Sequence, residues 1–453
     1  MYDLCIKNGT VVDNERSYKA DIYIKDGIIK AIVSPTETYE AAECIDAGGK
    51  YVFPGFVDPH THLNDPPGGD VSEDFWTGTC SAAAGGVTTV MEMPLTTPVV
   101  DSAERFVSKR NICGAKALVD YAMFGACSPN NLDETDKMTE EGAVAFKAFT
   151  CYSTEITRLN DASLIDVMER YAGNGHLLSL HCENADIIAD NTKKLREEGK
   201  TKPMDYIKAH TELSEIEAVQ RAALFALHTG AKVHVCHCSL AEAVEIVDEY
   251  KRLGANITVE TCPHYLTLDE TDIEKWGPYC ICNPPLRSKE RQDELWQSIL
   301  DGKVDFLGTD HSAYLHTEKA EGKDNVFDAP PGITAMQLCF PLFFDEAVNK
   351  RGLPVEKFVD MSSTAAAKRY DIYPEKGALN IGSDADIVIF DPDEKWIIKN
   401  EDLFYLEKWT PNVGREVTGR VKKTLVRGKV VFDNGEIIGE AGYGKFVPKK
   451  NIR

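Results

Sequence analysis

Two histidines one residue apart, His60 and His62 in the stretch VDPHTHL, have the spacing of a metal clamp. A strand alternates its faces with period two, so both rings point the same way and can share one ion. A lone pair of this kind is more often structural or incidental, so the question is whether further ligands arrive. Four more residues of suitable type end apolar runs: Lys147 in AVAFKAF, His181 in LLSLHCEN, His237 in KVHVCHCS and Asp310 in VDFLGTDHS. Imidazole and carboxylate bind divalent metals readily. Lys147 is the unusual member. An ammonium in an apolar run is costly to bury, and a neutral amine reacts with carbon dioxide to give a carbamate. The N6-carboxylated Lys147 then offers two oxygens that can bridge two ions. Two ions about 4 Å apart polarise a carbonyl and hold a hydroxide as nucleophile. Asp310 would bind one ion and carry the proton from water to the leaving nitrogen.

These residues need elements that bring them together. Eight strand-like runs lie near 53–62, 87–93, 118–124, 144–149, 177–182, 232–237, 256–261 and 305–310. Helical patterns alternate with them. Ala243, Ile246, Val247 and Tyr250 recur at i, i+3, i+4, i+7 before Gly254, and EIEAVQRAALFALHTG closes at Gly230. The expectation is a (β/α)8 TIM-type barrel, whose active site gathers at the C-terminal strand ends. Period two places His237 on the interior face with Val233 and Val235, and turns Cys236 and Cys238 toward the helices. Both chain ends alternate polar and apolar residues, with turn signals at Lys25-Asp26-Gly27 and Asp433-Asn434-Gly435. Neither end is long enough to bury a core alone, so they are expected to pair. This divides the chain into 1–50 and 373–453, together a small β-sandwich, and 51–372, the barrel.

A net charge of −23 excludes a general attraction for nucleic acid or anionic membranes. No apolar run approaches the about 18 residues of a membrane span, and the N-terminus has no secretory pattern. Thirteen scattered cysteines read as reduced thiols of a cytoplasmic chain. The expected partner is a small molecule.

The motifs PGFVDPHTHL, AFKAF, HCEN, VHVCHCS, ETCPHYL, NPPLR and GTDHS together resemble the cyclic amidohydrolases: hydantoinases, dihydropyrimidinases, allantoinases and dihydroorotases. The resemblance covers essentially the whole chain. It implies a binuclear centre, usually zinc with manganese, cobalt or iron as alternatives, held at His60, His62, Lys147, His181, His237 and Asp310. It implies a homotetramer or homodimer and hydrolysis of a ring amide C–N bond in a cyclic ureide. HTHLNDPPGGDVSEDFWTGT is similar to the first barrel loop of D-hydantoinases and dihydropyrimidinases. Tyr152 stands where those enzymes carry a tyrosine that hydrogen-bonds the substrate carbonyl. VMEMPLTTP, LHCENADII and TCPHYLTL resemble allantoinases and L-hydantoinases instead. Hydantoin and allantoin rings therefore rank first, six-membered dihydropyrimidines second. Dihydroorotase ranks lower, because Asn64 replaces the arginine that usually follows His-x-His-Leu.

The resemblance also assigns substrate contacts to Asn283 and Gly332. Asn283 replaces a common serine at a position that works through its backbone. Pro331-Gly332 replaces a common Asn-Gly, and proline has no N–H to donate. Cys151 and Cys182 read as packing beside better ligands. Cys280-x-Cys282 lacks the second pair of a structural zinc site. His264 and His316 are candidates to touch substrate, and Arg287 reads as a structural tie. A catalytically silent scaffold of the same fold is the competing class, and the complete set of six candidate ligands speaks against it.

Overall fold

The computed structural model describes residues 1–66 and 73–450. Part of the loop resemblance noted above, residues 67–72, lies outside the described residues. Eight parallel strands form the central sheet: β1 Phe56–His62, β2 Val87–Glu92, β3 Asp120–Ala126, β4 Ala145–Phe149, β5 Leu177–His181, β6 Lys232–Val235, β7 Ile257–Thr261 and β8. The last is broken. Phe306–Leu307 pairs with β7, and His311–Ser312 pairs with β1. The break at 308–310 is therefore where the barrel closes, and it places Asp310 in the gap between the two halves.

The helices lie where the apolar periods put them. Glu212–Thr229 ends at Gly230, whose φ of 77° gives the left-handed cap that glycine adopts without strain. Ala241–Arg252 buries Ala243, Val244 and Val247 on its inner stripe. The barrel's lower interior is apolar: Val57, Met91, Phe124, Leu177 and Phe306 pack with Tyr370, which comes from beyond β8. That floor leaves polar side chains room only at the upper rim.

The chain ends do combine. Tyr2–Lys7, Asp21–Lys25, Ile28–Val33 and Ala41–Asp46 form a four-stranded sheet. Ile387–Ile397, Glu416–Val426 and Lys429–Asp433 join Tyr51–Pro54 and Thr10–Val12 in a seven-stranded one. Leu4, Ile22, Ile24, Ile387, Ile389 and Leu425 share the core between them. Two details differ from the expectation. The run near 53–62 divides at Gly55: Tyr51–Pro54 pairs with Ile387–Phe390 in the sandwich, and only β1 enters the barrel. The tail also returns to the barrel, where the Tyr121 N–H donates to the Lys445 carbonyl and the Val447 N–H to that of Tyr121.

The junction beneath the barrel is electrostatic. Lys376, buried, reaches Asp384 at 2.7 Å, Asp386 at 2.8 Å and Asp120 at the start of β3. Arg427 also pairs with Asp120. The ammonium occupies the place a cation would take among these three carboxylates. Removing one partner of a buried charged network leaves the others uncompensated, at about 3–5 kcal/mol. Lys376→Met is thus expected to lower the thermal midpoint clearly; an unchanged midpoint in a melting curve contradicts this role.

Candidate metal centre and active site

Five of the six candidate ligands converge through ring nitrogens and a carboxylate at the upper rim, and Lys147 stands among them. His60 Nε2 and His62 Nε2 each lie 3.2 Å from the same Asp310 oxygen. Lys147 Nζ, buried, lies 3.4 Å from His60 Nε2. His181 Nδ1 faces His237 Nε2 at 3.0 Å. The His60 and His237 rings, 5.2 Å apart, connect the two halves.

Outer carboxylates fix the ring orientations. His60 Nδ1 donates to Glu260 at 2.5 Å, which leaves Nε2 as a bare lone pair facing the cluster. His181 Nε2 donates to Glu183 at 2.8 Å, which likewise leaves Nδ1 inward. Glu183 also accepts from His210 Nδ1 at 2.8 Å. Burial would raise both carboxyls, but the imidazoles beside them hold both below the usual carboxylate range. Burial and the Lys147 charge push His60 down to about 4. Burial, with His181 and Lys147, pushes His237 well below its ordinary value. Neutral imidazoles with inward lone pairs and outward N–H groups tied to carboxylates are the donor set a divalent metal requires. Two inward nitrogens 3.0 Å apart, with no carboxylate between them, fit a shared ion better than they fit each other. The residues present therefore fit the metals.

Backbone strain contributes to the arrangement. His237 has φ 36° and Asp310 φ 45°, left-handed values unusual for these residues. Asp58 supports the second of them. It accepts from the Thr309 hydroxyl at 2.6 Å, the Thr309 N–H at 3.0 Å and the His60 N–H at 3.3 Å. It thereby ties β1 to the break in β8. Burial pushes its carboxyl up to about 7.

The φ of His237 also corrects the face assignment on β6. Val233 and Val235 pack in the large core that includes Ala222 and Val244 of the flanking helices. His234 points inward, stacked on Phe306 at 4.9 Å. Cys236 is inward too, close to His60 and Glu260. His237 reaches the cluster because its left-handed backbone turns the side chain back, not because it continues the alternation. Cys238 does face outward, against Glu215.

A cavity of about 500 Å³ opens above the cluster. His62, Lys147, His181, His237 and Asp310 form its base, with Asn64, Thr96, Thr97, Tyr152, Ser153, Asn283 and Pro331 among its walls. Tyr152 is 63% exposed, with the Arg158 guanidinium 4.6 Å over its ring. The Asn283 side-chain oxygen accepts from the Tyr206 hydroxyl at 2.7 Å, so its backbone is the part left for a ligand. Gly332 gives its N–H to the Ile281 carbonyl at 2.8 Å, so that amide is not offered to the cavity. His264 is buried against Tyr265, and His316 sits in an adjoining recess with Tyr279 and Trp409. Cys151 is packed near His181 and Glu183, and burial raises its thiol well above the ordinary range. Burial raises Cys182 as well. Arg287 is the expected tie, bound to Ser239, Glu215 and the His210 carbonyl.

Glu183, Glu260 and Asp58 are the functional residues that sequence reasoning missed. Glu183 stands two residues after His181 in HCEN, and Glu260 near the active end of the seventh run in ETCPHYL. A carboxylate at that position is the signal that marks each. Glu260→Gln keeps the shape but removes the charge behind His60. Losing such an outer partner costs about tenfold to a hundredfold in metal affinity. Metal titration of the variant checks this; an unchanged affinity rules it out.

A barrel with a rim of imidazoles, a lysine and an aspartate defines a metal-dependent hydrolase of the barrel class. The sequence profile of the Amidohydrolase family matches residues 51–431, and this chain belongs to that family. It is 35% identical to the L-hydantoinase of Paenarthrobacter aurescens over 453 residues, 100% of this chain and 99% of that one. It is 36% identical to the allantoinase of Salmonella choleraesuis (strain SC-B67) over 439 residues, 95% of each. Its structure superposes on the L-hydantoinase (dihydropyrimidinase) from Arthrobacter aurescens with a TM-score of 0.95. There the identity is 35%, over 99% of this chain and 100% of the other.

Proposed function

We propose that this chain opens a cyclic ureide by hydrolysing a ring amide C–N bond. The observation that carries the reading is the inward convergence of His60, His62, His181, His237 and Asp310 around Lys147, with Glu260 and Glu183 orienting two of the rings. His60, His62 and Asp310 would hold one divalent ion and His181 and His237 a second, with carboxylated Lys147 common to both. Zinc suits this donor set. Such ions supply Lewis acidity and lower the pKa of bound water. Asp310, at the base of the cavity, takes the proton from the attacking water and delivers it to the departing ring nitrogen. Tyr152, on the wall, donates its hydroxyl to the carbonyl oxygen as charge develops there. The backbone around Asn283 and Pro331-Gly332 grips the ring amides.

The walls favour some rings over others. The Thr96 hydroxyl is given to the Pro98 carbonyl and that of Ser153 to Glu155, which leaves Thr97 and Asn64 to offer a hydroxyl and an amide to a substituent. A ureido arm, as in allantoin, can use them; an alkyl or phenyl arm cannot. No arginine lines the cavity among the described residues, which leaves the carboxylate of a dihydroorotate without a partner. A six-membered dihydropyrimidine is the second reading, favoured by Tyr152 on the cavity wall, where dihydropyrimidinases carry a tyrosine. Two or four copies of the chain per assembly accord with the family resemblance. The free thiols at all thirteen cysteines accord with the cytoplasm. No helix among the described residues is long and apolar enough to cross a membrane.

The test is a matched panel of allantoin, hydantoin, a 5-phenylhydantoin and dihydrouracil, offered to metal-replete protein. Allantoin is expected to be opened with the highest kcat/KM. A preference for dihydrouracil moves the assignment to the second reading, and no turnover of any ring by metal-loaded protein removes both.

A further inference from the structure

The loop carrying Pro330, Pro331 and Gly332 walls the cavity, yet its two prolines have no N–H with which to anchor it. Its only intrinsic donor at this point, the Gly332 amide, goes to the Ile281 carbonyl at 2.8 Å. A side chain supplies what the prolines lack. Lys319, on the short helix His316–Ala320, is only 4% exposed. Its Nζ donates to the Pro330 carbonyl at 2.7 Å and to the Ile281 carbonyl at 3.0 Å. The Tyr314 ring lies 5.5 Å from the same ammonium.

Three chain segments therefore meet at one nitrogen. Ile281 precedes Asn283 by two residues, Pro330 precedes Pro331 by one, and Tyr314 stands five residues before Lys319; Asn283, Pro331 and Tyr314 all line the cavity. We propose that Lys319 is a positioning residue that staples the 281–285 and 330–332 loops together and so sets the ring-binding walls. An ammonium taken from water costs free energy, and two carbonyls alone repay it poorly; burial accordingly lowers this lysine to about 8. A methionine of similar length would fill the space at less cost. What it could not do is add a second tie between the two loops beside the Gly332–Ile281 hydrogen bond, in a stretch whose prolines have no N–H to give. This rests on the reading of the cavity as the substrate site. It touches neither the metal cluster nor the proton path.

Lys319→Met separates this role from a purely structural one. KM for the preferred ring is expected to rise at least about tenfold, the worth of one charge-assisted hydrogen bond. The turnover number should stay within about threefold and the metal content unchanged, since no group that acts in the transition state is lost. Lys319→Gln, which can reach one carbonyl but not both, should fall between wild type and Met, and it carries the test if the Met variant does not fold. An unchanged KM, or a fall in turnover number at constant KM, overturns the proposal. Hydrogen–deuterium exchange gives a readout that needs no activity. In either variant the Gly332 amide and the peptide spanning 281–287 should exchange faster than in wild type, while β4 and β5 do not change. Unchanged protection in both loops overturns the staple even if no substrate is known. Failure of the wild-type chain to open any ring overturns the substrate assignment but not the staple.

Discussion

Lys147→Ala is expected to abolish turnover, with a loss of about a thousandfold or more. The side chain is buried at the base of the cavity, 3.4 Å from His60 Nε2, between the His60–His62–Asp310 group and the His181–His237 pair. The space between these two groups is where a bridging ligand would have to be. A lysine that bridges two ions would take several kcal/mol of charge stabilisation with it, and each 1.36 kcal/mol is about tenfold in rate. Metal content should fall with activity. A small carboxylic acid such as propionate can enter the space left by the shortened side chain and offer the two oxygens of the missing carbamate. Partial recovery of both metal and turnover on its addition is the specific sign of a carboxylated lysine. A simple buried cation would not be restored by an anion. Full metal content with normal turnover in the alanine variant would contradict the bridging role.

Asp310→Asn is expected to lower the turnover number by about 10²–10⁴-fold, the usual worth of a general acid–base group. The amide keeps an oxygen for a metal and has almost the same shape, but it cannot accept and return a proton. Metal content should therefore stay close to that of the wild type while turnover falls. Burial would raise the Asp310 carboxyl, but the His60 and His62 rings and Lys147 hold it below the ordinary carboxylate range, so it is ionised and ready to accept. Its left-handed backbone, braced through Thr309 by Asp58, keeps the carboxylate over the cluster. A variant that retains metal and turns over within tenfold of wild type would move the proton role to another group.

The parts of this site that were legible in the sequence are those governed by strand period. His60 and His62, Lys147 and His181 all end runs of alternating or apolar residues, and strand ends are where a barrel concentrates its chemistry. The pairing of the two chain ends was legible for a similar reason, since each alternates and neither could bury a core alone. What escaped depends on geometry that period cannot encode. His237 was placed in the site for the wrong reason: its φ of 36° breaks the alternation that His234 and Cys236 follow. Glu260 orients a histidine 200 positions earlier in the chain, a pairing that exists only once the barrel closes β7 and β8 against β1. Tyr51–Pro54 reads as one apolar run with β1 until Gly55 lets the chain pass from sandwich to barrel. The use of the Gly332 amide by Ile281, rather than by a ligand, follows from a neighbouring loop that sequence spacing does not reveal.

The central claim is that six side chains hold two metal ions and that hydrolysis depends on them. The most direct measurement is metal content by elemental analysis together with ring-opening rate on the same preparation, before and after chelation. The expected result is two equivalents of divalent metal per chain, with activity lost on removal and regained when metal and bicarbonate are returned. A folded chain free of metal that opens the ring at an undiminished rate would contradict it.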